Sequence, residues 1–132
     1  MIRLKFIFFS LMVTLVSSVT INAQSAVPSM QDLRIDSLKR LFDLTIKDEE
    51  RLIILQKICW SYAWSSPEST LSYARNGIRL AEQLEKPESQ ISFLTSMAQA
   101  YSGKGNLAEA LKVNFRALEI AEKNEDEDQR AW

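Results

Sequence analysis

From about residue 30 onward, apolar side chains recur every three or four positions, and no stretch alternates apolar with polar for long enough to be a strand. Leu33, Ile35, Leu38, Leu41, Phe42 and the Leu44 to Ile46 segment form one such stripe, which predicts a helix over about 30–46. A second helix is predicted over 48–65, where Asp48, Glu49 and Glu50 suit the positive end of a helix dipole. Ser66 stands at the N-cap place of a third, and Pro67 fills the first helical position, where its missing N–H costs nothing. That helix is expected to last to about Glu85, because Lys86, preceding Pro87, is pushed out of helical geometry. The next pattern breaks once, at Gly103-Lys104-Gly105-Asn106. Either glycine can take the left-handed conformation that closes a helix, and Asn106 with Glu109 fits a capping box for its successor.

Slid along itself, the chain repeats. Leu55, Ile58, Cys59 and Tyr62 recur as Leu94, Met97, Ala98 and Tyr101 at a shift of 39. Thr70-Leu71, Gly77-Ile78 and Ala81 recur as Ala110-Leu111, Ala117-Leu118 and Ala121 at a shift of 40. Two helical hairpins therefore follow one plan, with a single extra residue in the second turn, and units of this size stack into solenoids. Cys59 with Ala98, and Gly77 with Ala117, are small residues at matching places, where close approach of two helix backbones is expected. A glycine inside a helix costs about 1 kcal/mol relative to alanine, so Gly77 requires a compensating contact.

The run of Ala98, Tyr101, Gly105-Asn106, Ala110-Leu111 and Ala117-Leu118 resembles a tetratricopeptide (TPR) repeat, and Cys59, Tyr62, Thr70-Leu71 and Gly77-Ile78 resemble an earlier copy. The period exceeds the family's usual 34 residues, as in the longer variants of kinesin light chains and bacterial sensor proteins. Glu122 stands near where many repeats carry proline, and the first turn lacks glycine. The resemblance implies an all-α, right-handed superhelical array of antiparallel hairpins, a TPR-like solenoid incomplete at its C-terminus. A leading helix at 30–46 precedes repeats at 48–85 and 87–124. Gln129-Arg130-Ala131-Trp132 after the acidic run Glu125 to Asp128 reads as the start of a third repeat at 126–132, which points to further chain or a partner over the last repeat. A leader followed by such repeats also resembles the exported N-terminal sensor regions of Bacteroidetes-type histidine kinases and regulators.

The N-terminus changes the compartment. Arg3 and Lys5 precede an uncharged run from Phe6 to Val19, and Ala23 offers a small residue for cleavage, the layout of a signal peptide over 1–23. The run is shorter than the roughly 20 residues that span a bilayer. A flexible lead, 24–29, follows. Without Arg3 and Lys5 the balance is 14 basic to 17 acidic residues, a net charge of −3, which suits neither nucleic acid nor an anionic membrane surface. A membrane is expected only through downstream segments. The single cysteine excludes an internal disulfide.

Chemistry is sparse. The chain has no histidine, which removes Ser-His-Asp and Cys-His arrangements, histidine metal sites and a histidine phosphoacceptor. Cys59 lies among apolar residues and reads as a buried structural thiol. Gly103-Lys104-Gly105 lacks the ending and the preceding strand of a phosphate loop. No catalytic residue, metal or cofactor is implied; binding remains. In TPR arrays the first helix of each hairpin lines the concave surface, so the resemblance nominates Ile53, Gln56, Lys57, Trp60 and Trp64 on one helix and Ser92, Thr95, Ser96, Gln99 and Ser102 on the other. Trp60 and Trp64 have two readings: hot spots on a groove wall, or core covered by the first helix. The Ser/Thr/Gln stripe reads equally as a merely solvated face. The lysine, asparagine and arginine pairs of a carboxylate clamp are missing. The expected function is a non-catalytic scaffold binding a protein or peptide, with the input segment of a membrane-bound signalling protein as the alternative, and with self-association open through the last repeat.

Overall fold

The structure is a computed structural model that describes residues 27–130, with side chains described to Glu125; the expected leader and Ala131-Trp132 lie outside the described residues. Five helices follow one another: α1 (Met30–Leu44), α2 (Asp48–Tyr62), α3 (Pro67–Gln83), α4 (Pro87–Gly103) and α5 (Leu107–Arg130). The described residues contain no strand, and none of their helices is long and apolar enough to cross a membrane. The chain divides after Met30, and the helical core belongs to the unit from Gln31 onward.

Local chemistry sets the boundaries. Ser66 caps α3, accepting the Ser69 N–H at 3.3 Å, with Pro67 at the first helical position. Placing Ser66 outside the helix ends α2 at Tyr62, three residues before the expected end, and the Tyr62 carbonyl then accepts from both Ser65 N and Ser66 N at 3.0 and 2.9 Å. Gly105 closes the α4–α5 turn with φ +75°, and Asn106 N–H donates to the Tyr101 carbonyl at 2.9 Å. Half of the expected capping box forms: Asn106 Oδ1 accepts from Glu109 N at 3.3 Å. The reciprocal bond does not, because the Asn106 N–H is already bound to Tyr101. The α3–α4 turn uses the same closure, Lys86 N–H to the Ala81 carbonyl at 2.9 Å, but the left-handed position is held by Glu85 at φ 53°.

Each hairpin packs α2 on α3 and α4 on α5, while α4 also packs on α3 and touches α2. Leu52, Leu55, Cys59, Leu71, Ala74 and Ile78 meet Phe93, Leu94, Met97 and Ala100 in one core. Tyr62 stacks on Tyr73 with ring centroids 5.8 Å apart, and the matching Tyr101 and Val113 line one cleft of the second hairpin. The hairpins are thus alike and stacked.

Three expectations are corrected. Gly77 does not serve a backbone crossing: a Cβ there would lie 2.3 Å from the Phe93 ring, so the glycine is the seat of a side chain delivered by the next repeat. The acidic run is no boundary before a third repeat, since α5 continues through it to Arg130. No glycine or proline interrupts that segment, and glutamate is a good helix former. Finally, α1 stops at Leu44 and buries only Ile35 fully, leaving Leu41, Leu44 and Ile46 exposed.

Candidate functional site

Helix α2 has two unlike sides. Leu55, Ile58 and Cys59 face the core, and burial pushes the Cys59 thiol up to about 12, so at neutral pH it is a protonated, inert sulfhydryl. Its other side carries Ile53, Lys57 and Trp60, all exposed, and Gln56, half-buried, with the exposed Trp64 in the turn that follows. Trp60 is 72% exposed and Trp64 88%, so α1 does not fold over them as core.

Instead α1 stands beside this surface and forms a wall. Gln31 Nε2 donates to the Ser61 carbonyl at 2.7 Å and to Ser65 Oγ at 3.2 Å, tying the start of α1 to the end of α2. Lys39 lies 5.4 Å above the Tyr62 ring, and the hydrogen bond with Tyr62 is the main cause raising its pKa. At the other end Phe42 lies under the Arg51 guanidinium at 4.4 Å. Between these ties a cleft of about 540 Å³ opens, lined by Arg34 and Leu38 of α1 and by Ile53, Gln56, Lys57, Trp60 and Ser61 of α2.

Four of the ten nominated residues, Ile53, Gln56, Lys57 and Trp60, therefore share one cleft. Trp64 lies in the turn after α2, outside the lining. None of the α4 residues joins them. Thr95 and Ser102 are exposed, Ser92 and Gln99 half-buried, and Ser96 is buried with its hydroxyl donated back to the Ser92 carbonyl at 3.1 Å. Thr95 does the same to Ile91 at 2.9 Å. Those hydroxyls are spent within their own helix. The wall opposite α2 comes from α1, which sequence reasoning did not nominate: Arg34 and Leu38 follow helical spacing, but the facing of α1 is tertiary.

A second open surface lies at the far end. Leu71 and Ile78 of α3 are 3% and 7% exposed because α4 covers them, whereas their counterparts Leu111 and Leu118 of α5 are 57% and 52% exposed. Leu111 lines a shallow cleft of about 670 Å³ with Leu94, Met97, Tyr101 and Phe115.

Stacked, like-built helical hairpins define a TPR-type helical array, a class that is typically non-catalytic and binds proteins or peptides. The chain belongs to the family described as the SusR N-terminal TPR domain, whose profile matches residues 21–128. No curated protein and no solved structure matches the chain at a significant level.

Proposed function

We propose that this chain is an exported TPR module that holds a partner protein or peptide against the exposed side of α2, with Ile53, Gln56, Lys57, Trp60 and Trp64 as the contact residues. One observation carries the reading: Trp60 on α2 and Trp64 in the turn just after it both stand in solvent, while the opposite side of α2 is fully buried. A large aromatic pair left uncovered beside a cleft has the profile of a binding hot spot, giving much contact area for little lost side-chain freedom. The α4 stripe, Ser92, Thr95, Ser96, Gln99 and Ser102, takes a lesser part, because its hydroxyls are partly self-satisfied. Export rests on the leader pattern over 1–23, and the absence of histidine supports a non-catalytic role.

The test is a photo-crosslinking amino acid placed at Trp64 in the producing cell. Adducts from this position, lost when Trp60→Ala is added without a change in melting temperature, are the expected result. Adducts that form only from positions on α5, or a large loss of stability in Trp60→Ala, would overturn it, since only a buried aromatic costs roughly 3–5 kcal/mol on truncation.

A second reading, the input segment of a membrane-bound histidine kinase or regulator, is favoured by the family description, which places this type of domain at the N-terminus of SusR. A reading frame that continues past Trp132 into a membrane-spanning stretch is its expected signature; a stop codon there would sink it.

A further inference from the structure

The cleft between α1 and α2 has a sign. Its lining contains two cations, Arg34 and Lys57, and no carboxylate. The ion pairs among the described residues engage Lys47, Arg51, Lys104, Lys112 and Arg116, leaving both lining cations unpaired. The rest of the lining is apolar or amphipathic: Leu38, Ile53 and Trp60 beside Gln56 and Ser61. The lining from Ile53 to Trp60 spans seven helical steps, roughly 10 Å at 1.5 Å per residue, which is about three residues of extended chain.

We infer that this cleft binds a short acidic segment of a partner protein, its carboxylates between Arg34 and Lys57 and an apolar or aromatic anchor against Trp60 and Trp64. The inference rests on the functional reading above and deepens it by naming the chemistry of the partner. Charge complementarity selects the occupant: a basic segment would set like charges side by side, and a neutral apolar one would leave two cations partly desolvated with nothing in return. Neither cation is needed for folding, because both side chains are exposed and unpaired.

The test uses three fluorescent peptides of equal length: alternating aspartate with leucine and tryptophan, the same pattern with lysine for aspartate, and aspartate with serine. Anisotropy titrations should show binding of the first alone, weakening as salt is added. The Arg34→Gln/Lys57→Gln variant should bind about tenfold or more weakly at an unchanged melting temperature, a loss in the range of two partly screened ion pairs. Equal binding of the lysine peptide, or unchanged affinity in the double variant, overturns the inference. Its failure is separable from failure of the functional reading: crosslinks from Trp64 to a partner that persist in Arg34→Gln/Lys57→Gln leave the α2 surface standing and remove only the acidic partner.

Discussion

Gly77 and Phe93 show what a single position can demand. A glycine within a helix gives up about 1 kcal/mol of intrinsic propensity, and Gly77→Ala should recover that if the helix alone mattered. The Phe93 ring, 1% exposed and packed on every side, occupies the space of the missing Cβ and cannot swing away. Overpacking of this kind costs typically 1–3 kcal/mol, so the two effects oppose each other and the steric one wins. We expect Gly77→Ala to destabilise the chain by about 1–2 kcal/mol in urea unfolding, and Gly77→Ala/Phe93→Leu to regain part of the loss. Gain of stability in Gly77→Ala alone would show that the ring yields. In the second repeat the counterpart Ala117 is itself buried, and no side chain of a following repeat meets it among the described residues.

At the scale of elements, the turns compare themselves. The α3–α4 and α4–α5 turns share one hydrogen-bond closure and differ at the left-handed residue, Glu85 in the first and Gly105 in the second. A side chain in that conformation costs roughly 1–2 kcal/mol, offset in part by the greater freedom glycine loses on folding. Glu85→Gly should therefore stabilise by up to about 1 kcal/mol, while Gly105→Ala should destabilise by a similar amount. Both are read from denaturation midpoints at constant m-value, and a destabilised Glu85→Gly would mean that the Glu85 side chain supplies a contact outweighing its strain. These turns also show why the helix order was legible in the sequence. Pro67, Pro87, Gly105 and Asn106 act on their own backbone, so their effect survives without knowledge of the fold. Phe93 in the seat of Gly77, and Arg34 facing Lys57 across a cleft, depend on helices distant in sequence coming together, and no local pattern encodes that. Helix α5 runs on through the acidic residues to Arg130, because nothing in the backbone chemistry of 125–130 stops a helix.

For the whole molecule, the two ends of the stack are unequal. At one end α1 lies along α2 and the surface it leaves is a charged, aromatic cleft; at the other, Leu111, Phe115 and Leu118 form an apolar stripe on α5, Leu111 and Leu118 standing at the places that are buried on α3 as Leu71 and Ile78. Burying such side chains is worth about 1.5–3 kcal/mol each, but association must first offset the loss of translational and rotational freedom, estimated at about 4 kcal/mol or more. Three side chains rimmed by Glu109, Lys112, Arg116 and Glu119 therefore support a weak and reversible contact between two copies, well short of the roughly 1,000 Å² a stable interface needs. Sedimentation velocity over a concentration series should show the average mass rising with concentration. The Phe115→Lys/Leu118→Lys variant should stay monomeric and melt with the parent, because both side chains are exposed. A parent chain that remains monomeric throughout, or a variant that associates equally, would mean that this stripe is solvated rather than adhesive, and the partner surface of the molecule would then be the α1/α2 cleft alone.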